Sequence, residues 1–317
     1  MKRILCFFLL IVLLIPVLGC SQTDRNEDKI KIVALSFPEY DWTRQILGEI
    51  GAEAELILLC DNGTDVHSYQ PSVSDMADIA SCDLLICLGG ESDRWIDDAV
   101  ATSPSAKRTV LRLMALLQDN EKLVEQTQHT EDDHHHGALY DEHVWLSLRF
   151  AERFCRAIAA ELAKLFPGFE NRLEENCSNY TNTLAELDFK YSACVSASPE
   201  KTLLFADRFP FTYFAADYGL VCYAAFSGCS SETEASFQTV SFLAETLNTL
   251  RLSAVIILER SSDDLAKTII STSGSQQIPI FVLNSMQSVS LSEIRSGVTY
   301  LSIMEENLIA LKAALGQ

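Results

Sequence analysis

Histidine is confined to one part of this 317-residue chain. All six histidines lie between His67 and His143, and three of them are consecutive, His134 to His136, inside an acidic stretch. Neutral imidazole is the commonest metal-binding side chain, and carboxylates often accompany it. The distribution therefore predicts a protein that handles a metal ion, whether as cargo, as a catalyst or as a structural element.

Composition and motifs disfavour two other classes of protein. A metal-dependent hydrolase would need a general base beside its ligands, but the chain contains no HExxH motif, and it contains no GxSxG nucleophile elbow. A net charge of −20 disfavours binding to nucleic acid or to anionic lipid. We therefore expect neither an enzyme nor a nucleic-acid-binding protein.

The amino terminus is typical of an exported protein. Lys2 and Arg3 precede an apolar run that ends before Cys20, and this run is shorter than the roughly 20 residues that span a bilayer as a helix. The layout predicts a signal peptide over residues 1–19. Its end resembles a bacterial lipobox, so that Cys20 would carry a lipid and residues 20–28 would form a tether. An uncleaved N-terminal anchor is the alternative.

Short apolar strands alternate with helices in both halves of the remaining chain. Such alternation is typical of a parallel α/β sheet. We expect an α/β fold of two lobes, each a mostly parallel sheet flanked by helices, with the ligand in the cleft beyond the carboxyl ends of the strands. The predicted parts are an N-terminal lobe over residues 29–143 with an acidic, histidine-rich loop at 119–140, connecting helices over 144–197, and a C-terminal lobe over 198–317.

Four segments occur in an order that identifies a family. Residues 65–72 read Asp-Val-His-Ser-Tyr-Gln-Pro-Ser, residues 89–95 Gly-Gly-Glu-Ser-Asp-Arg-Trp, and residues 141–147 Asp-Glu-His-Val-Trp-Leu-Ser. Residues 297–308 complete the set near the end of the chain. Together these segments resemble the substrate-binding lipoproteins of zinc and manganese ABC importers, over essentially the whole mature chain.

The resemblance implies a function and two metal ligands. Members of that family have two lobes joined by a long rigid helix, with the metal between the lobes. His67 and His143 match the positions of metal ligands. The resemblance implies a monomer anchored by lipid at the extracellular face of the cell membrane, which captures zinc and delivers it to an ABC permease. A metal-binding surface adhesin or structural lipoprotein is the alternative.

The second lobe departs from the family pattern at both of its usual ligand positions. The third position, in the turn between the first strand and the first helix of the second lobe, falls at or next to Arg208, and a guanidinium cannot bind a cation. The fourth falls at Asn284, whose amide oxygen is a poor zinc ligand. We expect Asp207 and Glu259 to supply donors instead, although Glu259 could equally be an exposed strand-end charge or an ion-pair partner of Arg208. Further candidates are Glu232, Glu234, water and a histidine of the acidic loop.

The acidic loop carries a second set of candidate ligands. Its histidines are His129, His134, His135 and His136. The loop resembles a shortened form of the histidine-rich loop in the zinc-specific branch of the family, where it would collect zinc weakly and pass it to the cleft. A solvated loop with incidental affinity is the alternative. Imidazole favours zinc over manganese, because manganese prefers oxygen donors.

Overall fold

A computed structural model describes residues 29–124, 140–228, 234–275 and 277–317, and within these ranges the chain forms two α/β lobes. The described strands of the first lobe form a four-stranded parallel sheet in the order β2-β1-β3-β4. Its two central strands, β1 and β3, are mostly apolar and largely buried, as expected for a sheet covered on both faces. The elements are β1 Ile30–Ala34, α1 Phe37–Leu47, β2 Ala54–Leu58, α2 Val73–Ser81, β3 Leu84–Cys87, α3 Trp95–Thr102 and β4 Thr109–Arg112.

The second lobe repeats this topology. Its described strands form a parallel sheet in the order β6-β5-β7-β8. When the strands of each lobe are counted from its own first strand, this is the same order as in the first sheet. The elements are β5 Thr202–Phe209, α6 Thr212–Tyr218, β6 Val221–Ser227, α7 Phe237–Thr249, β7 Val255–Leu258, α8 Asp264–Thr272, β8 Ile280–Leu283, α9 Leu291–Arg295 and α10 Tyr300–Ala314. The predicted two-lobed α/β fold is therefore confirmed.

Two helices connect the lobes. Helix α4 spans Leu148–Leu165 and α5 spans Glu170–Ala197. The 28 residues of α5 make a rod of about 42 Å at 1.5 Å per residue. The chain turns between the two helices at Gly168, whose φ of 93° is one that glycine adopts without strain. The connection is thus a packed pair of helices, of which α5 is the long one.

The last helix ties the second lobe to the first. The backbone N–H of Tyr300 donates to Asp41 Oδ2 in α1 at 2.8 Å, and the Tyr300 hydroxyl donates to the carbonyl of Trp145 at 2.6 Å. Both tyrosine and tryptophan are buried, and one hydrophobic core runs from the first lobe through the connecting helices into the second. Within the part of the chain that the structure describes, no helix is both long and apolar enough to cross a membrane.

Candidate metal centre

His67 is held in a short helical turn beyond the carboxyl end of β2. The turn covers Val66–Ser68, and Asp65 caps it by accepting a hydrogen bond from the backbone N–H of His67 at 3.0 Å. The imidazole Nδ1 lies 2.6 Å from the hydroxyl of Ser92, which follows β3. The side chain is 11% exposed, and its Nε2 atom contacts His143.

His143 lies at the start of the connecting region and is fully buried. Asp141 Oδ1 accepts hydrogen bonds from both its backbone N–H, at 2.8 Å, and its Nδ1, at 2.9 Å. The carbonyl of Asp141 accepts a hydrogen bond from the Tyr213 hydroxyl of the second lobe at 2.9 Å. Trp145 packs edge-on against the imidazole, with ring centroids 5.1 Å apart. The orientation of His143 is therefore set by a carboxylate that is itself anchored.

The two histidines meet through their Nε2 atoms, which lie 2.9 Å apart. Their tautomers are assigned from their hydrogen-bond partners. Because Asp141 accepts from Nδ1 of His143, the Nε2 of His143 carries a lone pair. It follows that His67 donates from Nε2 and that its Nδ1 accepts from Ser92. A metal ion placed between the rings would replace this proton.

The second lobe contributes Gln287 to the same point. Its Nε2 lies 2.9 Å from the Nε2 of His143, where the assigned tautomer makes the amide the donor. Its Oε1 lies 2.9 Å from the hydroxyl of Ser285, and its Nε2 is 3.5 Å from Asp65 Oδ1. Gln287 is 7% exposed. This amide is a second-lobe group in direct contact with a histidine of the site.

The two carboxylates that we predict as further ligands have other partners in this structure. The Glu259 carboxylate accepts hydrogen bonds from the backbone N–H of Ser285 at 2.7 Å and from its hydroxyl at 2.8 Å. The Asp207 carboxylate accepts from the backbone N–H groups of Arg208 at 2.8 Å and Leu258 at 3.0 Å. Both thus order the carboxyl edge of the second sheet, and their assignment as ligands stays a prediction.

Arg208 lies in a strand and not in the turn that the sequence predicts. Strand β5 extends to Phe209, with a register shift between Phe205 and Arg208. Such a bulge redirects the side chains around it. The Arg208 guanidinium reaches across to the first lobe, where Nη1 donates to Asp65 Oδ2 at 3.1 Å.

Asn284, where the family pattern places the fourth ligand, has other partners in this structure. Its Oδ1 accepts from the backbone N–H of Met286 at 2.8 Å, and its carbonyl accepts from Asn307 at 2.8 Å. Met286 adopts a φ of 64°, and this left-handed residue turns the chain so that Gln287 points at the histidines. The amide beside His143 is therefore that of Gln287, three residues after Asn284 along the chain.

Electrostatics favour a neutral His67 and an ionised Asp141. Burial, and next the charge of His143, lower the pKa of His67 well below its ordinary value. Burial alone would raise the pKa of the Asp141 carboxyl, but the charge and the hydrogen bonds of His143 outweigh burial, and the net pKa of Asp141 is lowered. His67 therefore stays neutral, and Asp141 ionised, under conditions where an exposed histidine would begin to protonate.

Comparison with known proteins now decides the family. The family model for ZnuA, the periplasmic zinc-uptake complex component A, matches residues 32–314. The chain belongs to this family. The zinc-binding lipoprotein AdcA of Streptococcus pneumoniae is 30% identical over 302 residues, which cover 94% of this chain and 58% of that protein. The chain therefore spans somewhat more than half the length of that relative.

Two further matches cover nearly all of the other chain. The high-affinity zinc uptake system protein ZnuA of Bacillus subtilis is 27% identical over 96% of this chain and 94% of its own length. The crystal structure of the Zn(II)-bound ZnuA-like domain of Streptococcus pneumoniae AdcA superposes with a TM-score of 0.73 at 27% identity, covering 91% of this chain and all of that domain. The family resemblance stated from the sequence motifs is confirmed.

The described part of this chain brings few metal donors together. Among the described residues, no group of three or more histidine, cysteine, aspartate or glutamate side chains is arranged to hold a metal ion. The histidine pair and the Gln287 amide are what those residues bring together. Several predicted groups lie outside the described residues, namely the lipidation site Cys20, the loop histidines His129, His134, His135 and His136, and Glu232.

Gly228 forms one wall of the site at the end of β6. A Cβ at this position would lie 2.8 Å from the carbonyl oxygen of Phe209 and 3.0 Å from Cε1 of His143, too close for either contact. The second lobe thus brings bare backbone against the imidazole of His143. A side chain here would push the ring away from its Asp141 partner.

Sequence reasoning missed Gln287 and Ser92. An uncharged amide is not a usual zinc donor, so Gln287 carries no metal signature of its own. Ser92 lies inside the matched segment 89–95, but the family pattern there does not mark a serine. Both could have been found only by asking which side chains leave the carboxyl ends of neighbouring strands.

Proposed function

We propose that this protein captures a zinc ion between its lobes and delivers it to an ABC permease for uptake. The observation that carries the proposal is the convergence of His67 and His143, with Nε2 atoms 2.9 Å apart, at the boundary of the two lobes. Two neutral imidazoles favour zinc over manganese, since manganese prefers oxygen donors. Membership in the ZnuA family and the names of its relatives support zinc as the cargo.

Zinc would require only a small opening of the histidine pair. Two nitrogen atoms bound tetrahedrally at 2.0–2.1 Å stand about 3.3 Å apart, compared with 2.9 Å here. A shift of a few tenths of an ångström in either ring would make room. The stiff pair of connecting helices suits such a limited movement of the lobes.

Zinc entry would also move one proton within His67. The proton now assigned to Nε2 would have to leave, and Nδ1 would carry it in the zinc-bound state. The Ser92 hydroxyl, which now donates to Nδ1, can rotate and accept a hydrogen bond from the new Nδ1–H group. The Glu142 carboxylate is also close to this nitrogen, with Oε2 3.9 Å from Nδ1. The exchange leaves the number of protons on His67 unchanged.

The remaining coordination positions would be filled from the second lobe and from solvent. Rotation of the Gln287 amide would bring Oε1 in place of Nε2 toward the ion. Glu259 and Asp207 stay candidate donors, and each would first have to leave its present backbone partners. Water would complete a tetrahedral shell, as it does in zinc sites with few protein ligands.

The proposal places the protein outside the cell as a monomer held by lipid at Cys20. The signal-like segment and the strongly acidic composition support this location, and the S. pneumoniae relative is named a lipoprotein. An acidic surface would attract cations weakly and without selectivity. The cleft would then provide selectivity.

Uptake of radioactive zinc by cells in which the gene is deleted tests the proposal. Wild-type protein should restore uptake at limiting zinc, and the double variant His67→Ala, His143→Ala should not. The variant Cys20→Ser should restore less, because the protein is no longer anchored beside the permease. Full uptake with the double histidine variant would contradict the proposal.

A further inference from the structure

A carboxylate of the first lobe stands beside the histidine pair without belonging to it. Asp65 Oδ1 accepts a hydrogen bond from the backbone N–H of His67, and it lies 3.5 Å from the same Gln287 nitrogen that contacts His143. The Asp65 side chain is 16% exposed. An ion bound between the histidines would therefore have an anionic group close to its ligands.

The second oxygen of this carboxylate is taken by a cation from the other lobe. Arg208 Nη1 donates to Asp65 Oδ2 at 3.1 Å, so the ion pair crosses the boundary between the lobes next to the site. A guanidinium stays protonated at every accessible pH and cannot become a ligand.

We infer that Arg208 sets the zinc affinity of this site by neutralising Asp65. This inference rests on the proposed function. With the pair intact, zinc meets neutral imidazoles and an amide, and the attraction of Asp65 is offset by the repulsion of Arg208. The affinity is then low enough for the ion to be released again. Without Arg208, the carboxylate would act on the ion at close range, where solvent screens charges weakly.

A double-mutant cycle that removes each charge in turn distinguishes control of zinc affinity from a purely structural ion pair between the lobes. Zinc dissociation constants would be measured by chelator competition for Arg208→Gln, Asp65→Asn and the double variant. Asparagine can still accept the hydrogen bond from the His67 backbone, so Asp65→Asn changes charge and keeps the turn. Arg172→Gln is the matched control, because it removes one positive charge from an exposed pair that α5 makes with Glu49.

Opposite shifts are expected from the two single variants. Arg208→Gln should bind zinc about tenfold tighter or more, and Asp65→Asn should bind about tenfold weaker, because each leaves one charge uncompensated near the ion. The double variant should return close to the wild type, and Arg172→Gln should not differ from it. Arg208→Lys, which keeps the charge, should also stay close to the wild type.

A purely structural ion pair gives a different pattern. Both single variants would then weaken zinc binding, and the double variant would stay weak, which would overturn the inference. Thermal unfolding without metal serves as the second measurement. Arg208→Gln should show a larger zinc-induced rise in Tm than the wild type, even if the metal-free variant is less stable. If His67→Ala bound zinc as tightly as the wild type, the proposed function itself would be wrong.

Discussion

The Nε2 atom of Gln287 in the second lobe lies 2.9 Å from the Nε2 atom of His143 in the first. This contact closes the histidine pair from the side on which a third ligand would be needed. Replacing Gln287 with alanine should weaken zinc binding about tenfold, as loss of a supporting group around a metal typically does. Gln287→Glu should tighten it, because a carboxylate is a better zinc donor than an amide.

Chelator-competition titration measures both effects. Gln238→Ala, at an exposed position of α7, is the control for a glutamine of the same lobe. Unchanged affinity in Gln287→Ala would remove this residue from the site and leave solvent or another side chain as the third donor.

Asp141 should be required for affinity without touching the metal. Its carboxylate fixes the His143 tautomer that leaves Nε2 free of a proton. Asp141→Asn would present an amide that can hold either tautomer, so zinc affinity should fall about 10- to 100-fold. Nuclear magnetic resonance of the imidazole nitrogens should show the His143 tautomer changing in the metal-free variant. An unchanged tautomer together with unchanged affinity would refute this role.

Gly228→Ala should damage the site by crowding His143. The new methyl group would meet the Phe209 carbonyl at 2.8 Å and the imidazole at 3.0 Å, so either the ring or the end of β6 must move. We expect a loss of about 1–3 kcal/mol in the free energy of unfolding, together with weaker zinc binding. Gly51→Ala is the control, since a Cβ there has ordinary contact distances. Urea denaturation and zinc titration check the two effects, and equal results for both variants would contradict the prediction.

Glu39 should make the protein less stable as pH rises. This carboxyl group of α1 is fully buried, its Oε1 has no hydrogen-bond partner in the structure, and its Oε2 contacts the Ser36 hydroxyl. Burial raises its pKa to about 7. A raised carboxyl pKa contributes stability that is present below the unfolded value and lost as pH rises through the folded value.

Urea unfolding at pH 5.5 and 8.5 measures this effect. As pH rises between these two values, ionisation of Glu39 should lower the free energy of unfolding by about 2 kcal/mol. Glu39→Gln should lack this contribution, so the difference in stability between the two proteins should change by that amount. The exposed Glu49→Gln should follow the wild type. A pH-independent difference between wild type and Glu39→Gln would show that the carboxyl group does not titrate in this range.

The sequence predicts the architecture well for a physical reason. Buried parallel strands must be apolar along their whole length, and runs such as Leu84–Cys87 therefore stand out from the amphipathic helices around them. The carboxyl ends of such strands meet at one edge, and this rule alone is enough to place His67 at the cleft. His143 follows from its motif at the start of the connecting region.

The second-lobe part of the site could not be predicted in the same way. The turn expected at Arg208 is a strand instead, because pairing with β6 extends β5 past it, and local sequence does not encode that pairing. The left-handed residue Met286 moves the chain between Asn284 and Gln287, and methionine gives no signal for such a conformation. Contacts between the lobes depend on how the two lobes pack against each other. The linear sequence pattern carries no information about that packing.

The measurement that tests the central claim most directly is a chelator-competition zinc titration of a soluble version beginning at Ser21. It would be run beside His67→Ala, His143→Ala and a version without residues 129–136. We expect one tight site that is lost in each histidine variant and kept without the loop segment. A tight site that survives both substitutions and disappears with residues 129–136 would contradict zinc capture between the lobes.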